Sequence, residues 1–184
     1  MQRSKVDKLV SSLGLVIALV LLLSSFGLLF AHNFVHKQVS NQLSSQKISF
    51  PKTSDAAFKA LPASDQAAVR PYAGQQLTTG AQAEAFADHY IAVHLSKIGG
   101  GKTYSELSAQ SQVNPSDTAL AAKVSTLFQG EMLRGTLLNA YAFDTMAVVA
   151  GLAAVGAFIG AIVFVILSLL GFAHAKKVNP SRRK

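Results

Sequence analysis

A glycine-rich segment, Gly99-Gly100-Gly101-Lys102-Thr103, is the first stretch whose residue types suggest chemistry. Glycine-rich loops that end in Lys followed by Ser or Thr cradle nucleotide phosphates, but the P-loop pattern needs another glycine five residues before the one that precedes the lysine. Position 96 holds serine instead. The segment also follows a predicted helix rather than a strand. We therefore interpret it as a helix stop followed by a cap, and not as a nucleotide site.

His32 and His36 lie four residues apart, a spacing that puts two imidazoles on one side of a helix, where they could share a metal. No third ligand is close in sequence, because the nearest acid is Asp55. We therefore interpret both as histidines at the outer membrane surface, and we predict neither a metal site nor a cofactor.

Asp88, His89 and His94 form a second group with the residue types of an acid–base or metal site. Neighbouring residues on a helix point about 100° apart, so Asp88 and His89 are not expected to pair with each other. Glu84 and Asp88, four residues apart, instead form an acidic face, for which we predict a structural or partner-contacting role. An enzyme would require a pocket lined by His89, His94 and Glu84.

Glu131, Arg134 and Asp144 are charged residues on a long predicted helix close to the membrane. Glu131 and Arg134 are three residues apart and can pair on one solvated face. Asp144 falls at the expected membrane interface, where one charge is tolerated at some cost. The alternative is a polar contact with the first helix or with another protein. All three are therefore possible partner-contact residues.

Two uncharged apolar runs, Leu9–Ala31 and Thr145–Ala173, must position these groups. Each is long enough to cross a hydrocarbon core of roughly 30 Å, which takes about 20 helical residues. The first run exceeds the roughly 7–15 residues of a signal-peptide core, so we predict an uncleaved signal anchor. The chain has no cysteine, which favours a bacterial envelope protein without disulfides.

The positive charge is concentrated outside the two runs. Three basic residues and one acid precede the first run, and five basic residues without an acid follow the second, whereas nine basic and eight acidic residues lie between them. Basic flanks stay on the cytoplasmic side, so we predict a plasma-membrane protein with both termini cytoplasmic. The high pI then reflects topology and contact with lipid head groups, not nucleic-acid binding. The predicted organisation is a cytoplasmic tail at 1–8, a transmembrane helix at 9–31, an extracytoplasmic helical domain at 32–144, a second transmembrane helix at 145–173 and a basic cytoplasmic tail at 174–184.

Small residues in both runs predict helix packing, because they let two backbones approach closely. The packing residues we predict are Gly156, Gly160 and Ala153 in the second run, and Gly14 and Ala18 in the first. They could join the two helices of one chain, or dock another subunit, including a second copy of the chain.

The region between the runs is predicted to be helical, which makes the fold all-α. The first helix continues to about Gln46 and the last runs from about 115 to 174, so two transmembrane helices extend outward as stalks with a small helical cap between them. Ser54 and Ser64 are candidate N-caps of two short helices. A clearer helix is predicted over 81–98. Further helix starts are predicted from a capping box at Thr103 and from Asn114, which precedes a proline.

Three stretches carry a resemblance to a known group of proteins. They are Gln42–Pro51 (QLSSQKISFP), Gly80–Leu107 (GAQAEAFADHYIAVHLSKIGGGKTYSEL) and Thr126–Phe143 (TLFQGEMLRGTLLNAYAF). Together they resemble a family of small two-pass membrane proteins from actinobacteria that has no settled function. Some members are labelled aromatic ring-opening dioxygenase, an activity for which this sequence has no plausible iron site. The resemblance implies an actinobacterial plasma membrane.

No motif in the sequence predicts a reaction, so we do not expect an enzyme. A non-catalytic accessory or scaffold subunit of a larger envelope or respiratory membrane complex is the leading hypothesis. Its partners would be the lipid bilayer and other membrane protein subunits. A membrane-tethered extracytoplasmic sensor or ligand-binding module is the alternative, although the cytoplasmic tails are too short for a signalling domain.

Overall fold

A computed structural model describes residues 3–177 of the chain. Within that range the structure is helical without a β-sheet, since Ser49 and Gln76 form only an isolated antiparallel bridge. The elements are α1 (Arg3–Ser45), α2 (Ala56–Lys59), α3 (Ala63–Val69), a 3-10 turn (Arg70–Tyr72), α4 (Gly80–Phe86), a π-turn (Ala87–Ile91), α5 (Ala92–Gly99), α6 (Tyr104–Val113) and α7 (Thr118–Lys177).

The contacts divide the chain into two compact units. The helix-pair unit contains the described residues 3–34 and 146–177, and the cap unit is Val35–Thr145. The long helices α1 and α7 are long and apolar enough to cross a membrane. Of the two predicted tails, residues 1–2 and 178–184 lie outside the described part of the chain.

Small side chains pack the two helices of the helix-pair unit against each other. On α7 the buried positions recur every seven residues, a period that gives a left-handed supercoil. They are Ala147, Ala154, Ala161, Ser168 and Ala175, and they are met on α1 by the buried residues Ser11, Ala18 and Ser25. The helices are antiparallel, because the Ser4 hydroxyl donates to the Ala175 carbonyl at 3.2 Å while His32 bonds the Ala147 carbonyl.

The predicted packing residues fall on two different faces. Gly14 packs against Ser168, Ala18 is buried, and the position of a Cβ on Gly160 lies 3.3 Å from Leu21 Cδ1. By contrast Ala153 is exposed, and Gly156 has no heavy atom within 4 Å of its Cβ position. These two residues do not pack against α1, because the seven-residue stripe that includes Ala154 is the one that faces it.

The core of the cap unit draws buried side chains from α1, from α7 and from each helix between them, and Tyr72 of the 3-10 turn packs against it. Val69, Leu77 and Leu137 are completely buried. The chain after α1 is extended, and it pairs with the segment before α4 through bonds from Phe50 N to Gln75 O and from Leu77 N to Ile48 O, each 2.9 Å long.

Several predicted helix starts differ from those in the structure. The N-cap positions of α2 and α3 are Asp55 and Pro62, so the Ser54 and Ser64 predictions were wrong. The cap of α7 is Asp117, whose carboxylate accepts from Leu120 N at 2.9 Å, and Asn114 instead forms the preceding turn. The Thr103 capping box is confirmed.

The glycine-rich segment ends a helix, as the sequence predicted. The helix α5 stops at Gly99, and Gly100 and Gly101 take positive φ angles of 61° and 80°. Such left-handed backbone is common just after a helix and favours glycine. The glycines therefore have a conformational reason to be there.

Candidate polar site of the cap unit

Asp144, on α7, is the most deeply placed acid in the described part of the chain, with 8 % of its surface exposed. One carboxylate oxygen lies 2.7 Å from His36 Nδ1, in the part of α1 that belongs to the cap unit. The other accepts the backbone N–H of Gly80, the first residue of α4, at 3.0 Å. A single carboxylate therefore joins three helices of the cap unit.

The start of α4 is built to meet this carboxylate. The first backbone N–H groups of a helix have no partner within it, and they carry partial positive charge that favours a nearby anion. Thr79 and Gln82 satisfy other donors of this end through a capping box. Glycine is the residue that fits position 80 without a shift of the Asp144 side chain, because a Cβ there would lie 2.8 Å from Asp144 Oδ2 and 3.0 Å from Asp144 Cγ.

The bond to Asp144 also fixes the tautomer of His36. A carboxylate only accepts, so His36 Nδ1 carries the proton and donates it. In the helix-pair unit, His32 Nδ1 likewise donates to the Ala147 carbonyl at 2.7 Å. The edge of that ring lies 2.9 Å from the position a Cβ on Gly151 would take. The i, i+4 histidines each have a helix-joining contact to α7, and they are not brought onto one ligand.

Arg134 forms a second polar cluster, with Asp88 and Glu131. Its Nε and Nη2 donate to Asp88 Oδ1 at 3.2 and 2.7 Å, and its Nη1 reaches Glu131 Oε2 at 3.5 Å. The hydrogen bond to Asp88 raises the pKa of Arg134 above its ordinary value, an effect larger than the opposing one of burial. The predicted pairing of Glu131 with Arg134 is present, but the shorter bond goes to Asp88.

A π-turn lets two neighbouring residues reach different helices. Asp88 contacts Arg134 on α7, whereas His89 Nδ1 lies 2.8 Å from Asp65 Oδ1 on α3. The two side chains do not pair with each other, as the sequence predicted. A π-turn holds one residue more than an α-helical turn, and such turns are frequent where a helix must aim particular side chains.

Aromatic rings continue from the π-turn into the core. Phe86 packs edge-on to Phe50 at 5.2 Å, Tyr90 lies 4.7 Å from Phe86, and His94 lies 4.4 Å from Tyr90. His94 also donates from Nδ1 to the Tyr90 carbonyl at 2.8 Å. Phe86, Tyr90 and His94 thus follow one another at four-residue spacing, and their rings pack together.

A cavity of about 210 Å³ in the cap unit is lined by polar groups that include Lys102, Thr103 and Glu131. Its lining does not include His89, His94 or Glu84, the residues that an enzyme was expected to use. No group of three or more potential metal ligands occurs within residues 3–177.

The predicted triplet of Glu131, Arg134 and Asp144 thus separates into two clusters, each of which joins elements of the cap unit. Sequence reasoning missed His36 and Gly80 as partners of Asp144. The signals available in the sequence were the Thr79-Gly80 pair, which is typical of a helix start, and the position of Asp144 directly before an apolar run, where an acid requires a partner.

Comparison with known proteins identified no relative of this chain. No protein-family model matches the chain, and neither a curated protein nor a solved structure shows significant similarity to it.

Proposed function

We propose that this chain is a non-catalytic accessory or scaffold subunit of a larger membrane complex of the bacterial envelope or respiratory chain. In this proposal α1 and α7 cross the plasma membrane, both termini are cytoplasmic and residues 32–144 are extracytoplasmic. The single observation that carries it is an exposed apolar face on the cap-unit part of α7.

We call it the outer α7 face: its apolar side chains are those of Phe128 and Met132, and Gly135 and the uncharged Asn139 continue it along the helix. Phe128 and Met132 are 50 % and 57 % exposed, and the other two residues are also exposed. The face carries no charge, and the side chain of Tyr104 widens it through a ring contact of 5.6 Å with Phe128. Exposed apolar patches outside a membrane mark sites where another protein binds.

The charged groups of the cap unit favour a structural role over a catalytic one. The carboxylates of Asp144, Asp88 and Asp65 each contact a basic side chain on a different element of this unit. A group held in this way stabilises the positions of helices. A scaffold needs such fixed positions in order to present one face to a partner.

The test is a tagged pull-down of the full chain from native membranes in a mild detergent. Phe128→Ser together with Met132→Ser should release a stoichiometric set of membrane proteins that the unaltered chain retains. Val113→Ser is the matched control, since Val113 is 87 % exposed but lies outside the outer α7 face. Recovery of the chain alone, or equal recovery with both variants, would contradict the proposal.

Topology has an independent test. A cysteine in place of Ser116 should react with a membrane-impermeant thiol reagent on intact spheroplasts, and one in place of Ser181 should not. The opposite pattern would overturn the proposed orientation. Whether the outer α7 face is a docking surface would still be decided by the pull-down.

An extracytoplasmic ligand-binding module is the second candidate, favoured by the 210 Å³ cavity that has both Lys102 and Glu131 in its lining. A chain that is recovered alone, and whose cap unit is stabilised on heating by a small zwitterionic ligand, would support this function. Lys102→Gln should then remove the stabilisation.

A further inference from the structure

The helix-pair unit has a groove of about 530 Å³ between α1 and α7, at the end where α1 begins and the described part of α7 finishes. We infer that this groove is a binding site for one anionic phospholipid, with an acyl chain between the helices and the head group at the basic end. The inference requires the two helices to cross a bilayer, but it does not depend on the partner proposed above.

The close approach of the two helices explains why the groove exists. A Cβ on Gly14 would collide with the Ser168 hydroxyl, and a Cβ on Gly171 would collide with the Ser11 hydroxyl. Two glycine–serine contacts therefore hold the backbones together at the floor. Larger side chains on either side, among them Ile17 and Leu167, form the walls.

The length of the groove fits one leaflet. Its lining extends over residues 7–17 of α1 and 164–174 of α7. Ten residues of α-helix span about 15 Å, at about 1.5 Å per residue. This is half of a hydrocarbon core of roughly 30 Å, the depth that an acyl chain of a single leaflet occupies.

The charge at one end selects the head group. Asp7 and His174 line the groove there, and they are its only ionisable lining residues. Exposed basic side chains flank the same end and outnumber the one acid, Asp7: they are Arg3, Lys5, Lys8, Lys176 and Lys177. Clustered basic residues next to a membrane helix attract anionic lipid.

Another groove between the same helices provides a contrast. It is lined by apolar side chains such as Leu15 and Ile166, and its lining has no ionisable residue. That groove has nothing that would distinguish one lipid from another. The charged end is what makes the first groove a candidate for selective binding.

Native mass spectrometry of the full chain, released from detergent with phosphatidylglycerol or phosphatidylcholine added, tests the inference. We expect retained phosphatidylglycerol and little phosphatidylcholine. Replacing Lys5, Lys8, Lys176 and Lys177 by Gln should lower retention of the anionic lipid about tenfold or more. The control replaces four lysines of the cap unit, Lys47, Lys52, Lys59 and Lys97, and should leave retention unchanged.

A second pair of variants distinguishes lipid that binds inside the groove from lipid that is only attracted to the charged surface. Ile17→Trp fills the groove, whereas Val16→Trp adds the same bulk at a neighbouring, 57 % exposed position that is not part of the lining. Only Ile17→Trp should displace the lipid. Equal retention of both lipids, or retention of phosphatidylglycerol by the Ile17→Trp variant, would overturn the inference.

Discussion

Replacing Asp144 by alanine should loosen the start of α4 more than any other part of the cap unit. The substitution removes the acceptor of the buried Gly80 N–H and of His36 Nδ1. A hydrogen bond to a charged group contributes about 1.5–3 kcal/mol, and leaving a buried donor unpaired costs about 1–3 kcal/mol.

The two contacts do not count equally. The side chain of Asp144 is 11 % exposed, but that of His36 is 48 % exposed, so water can replace much of what the imidazole loses. We therefore assign less than about 1 kcal/mol to the His36 contact and about 2 kcal/mol to the Gly80 contact. The expected loss is therefore about 2–3 kcal/mol, and it should be largest at the start of α4.

Hydrogen exchange measured by mass spectrometry on the full chain in detergent resolves this locality. The amides of Gly80–Phe86 should exchange about 30- to 100-fold faster in Asp144→Ala, since about 1.4 kcal/mol corresponds to a factor of ten. Asp144→Asn keeps a neutral acceptor for Gly80 and should show a smaller increase, of about tenfold. Glu131→Ala, at a 44 % exposed side chain, is the control and should change these amides by less than about threefold.

The result that would refute this reasoning is unchanged exchange in α4 for Asp144→Ala. Equal effects of Asp144→Ala and Asp144→Asn would also be informative, because they would place the stabilisation in the charge of the carboxylate and not in its role as an acceptor of Gly80.

Three further predictions concern other contacts of the cap unit. Gly80→Ala should cost about 1–3 kcal/mol in the thermal unfolding of the full chain, because the added Cβ meets the Asp144 side chain; an unchanged melting temperature would contradict the assigned contact. Arg134→Met should cost only about 1 kcal/mol in the same measurement, since the Arg134 side chain is 32 % exposed. A loss above about 3 kcal/mol would mean that the ion pair of Arg134 with Asp88 is shielded from water, and it would contradict this prediction. Acid should loosen the first turn of α6, because hydrogen bonds from the Thr103 backbone N–H and then from its hydroxyl lower the pKa of Glu106 below the ordinary 4.5. That stabilisation is present above pH 4.5 and is lost as the pH falls through the lowered pKa of the folded state. The protection factors of the amides in this turn, which are corrected for the intrinsic exchange rate, should therefore fall as the pH drops below 4.5, and Glu106→Gln should remove that pH dependence.

Features set by local periodicity were predictable from the sequence. The first helix was expected to end near Gln46 and ends at Ser45, and the last was expected over 115–174 and is Thr118–Lys177. Long uncharged runs and helical spacing determine such elements without any distant contact. The glycine stop after α5 and the Thr103 cap depend on a few adjacent residues and were also correct.

Features set by distant contacts were not predictable in the same way. Asp144 and His36 are 108 positions apart, and neither residue alone indicates the other. In the π-turn, Asp88 contacts a partner on α7 and His89 contacts a partner on α3. Because the turn depends on these distant partners, no local sequence pattern predicts it. Likewise, several faces of α7 carry small residues, and only the packing partner decides which of them is buried. Whether Glu131, Arg134 or Asp144 also contacts another protein stays a prediction.

The π-turn at Ala87–Ile91 has a consequence for how this chain can change in length. Deleting one residue within it would restore ordinary α-helical spacing and rotate the following helix, α5, by about 100° relative to α4. Asp88 and His89 could then no longer both reach their partners, and Leu95 would leave the core. By contrast, one residue gained or lost after α6, in the turn that contains Asn114, would leave those contacts in register. We expect natural length variants of this protein to differ at that turn and to keep the count between Thr79 and Gly99 constant.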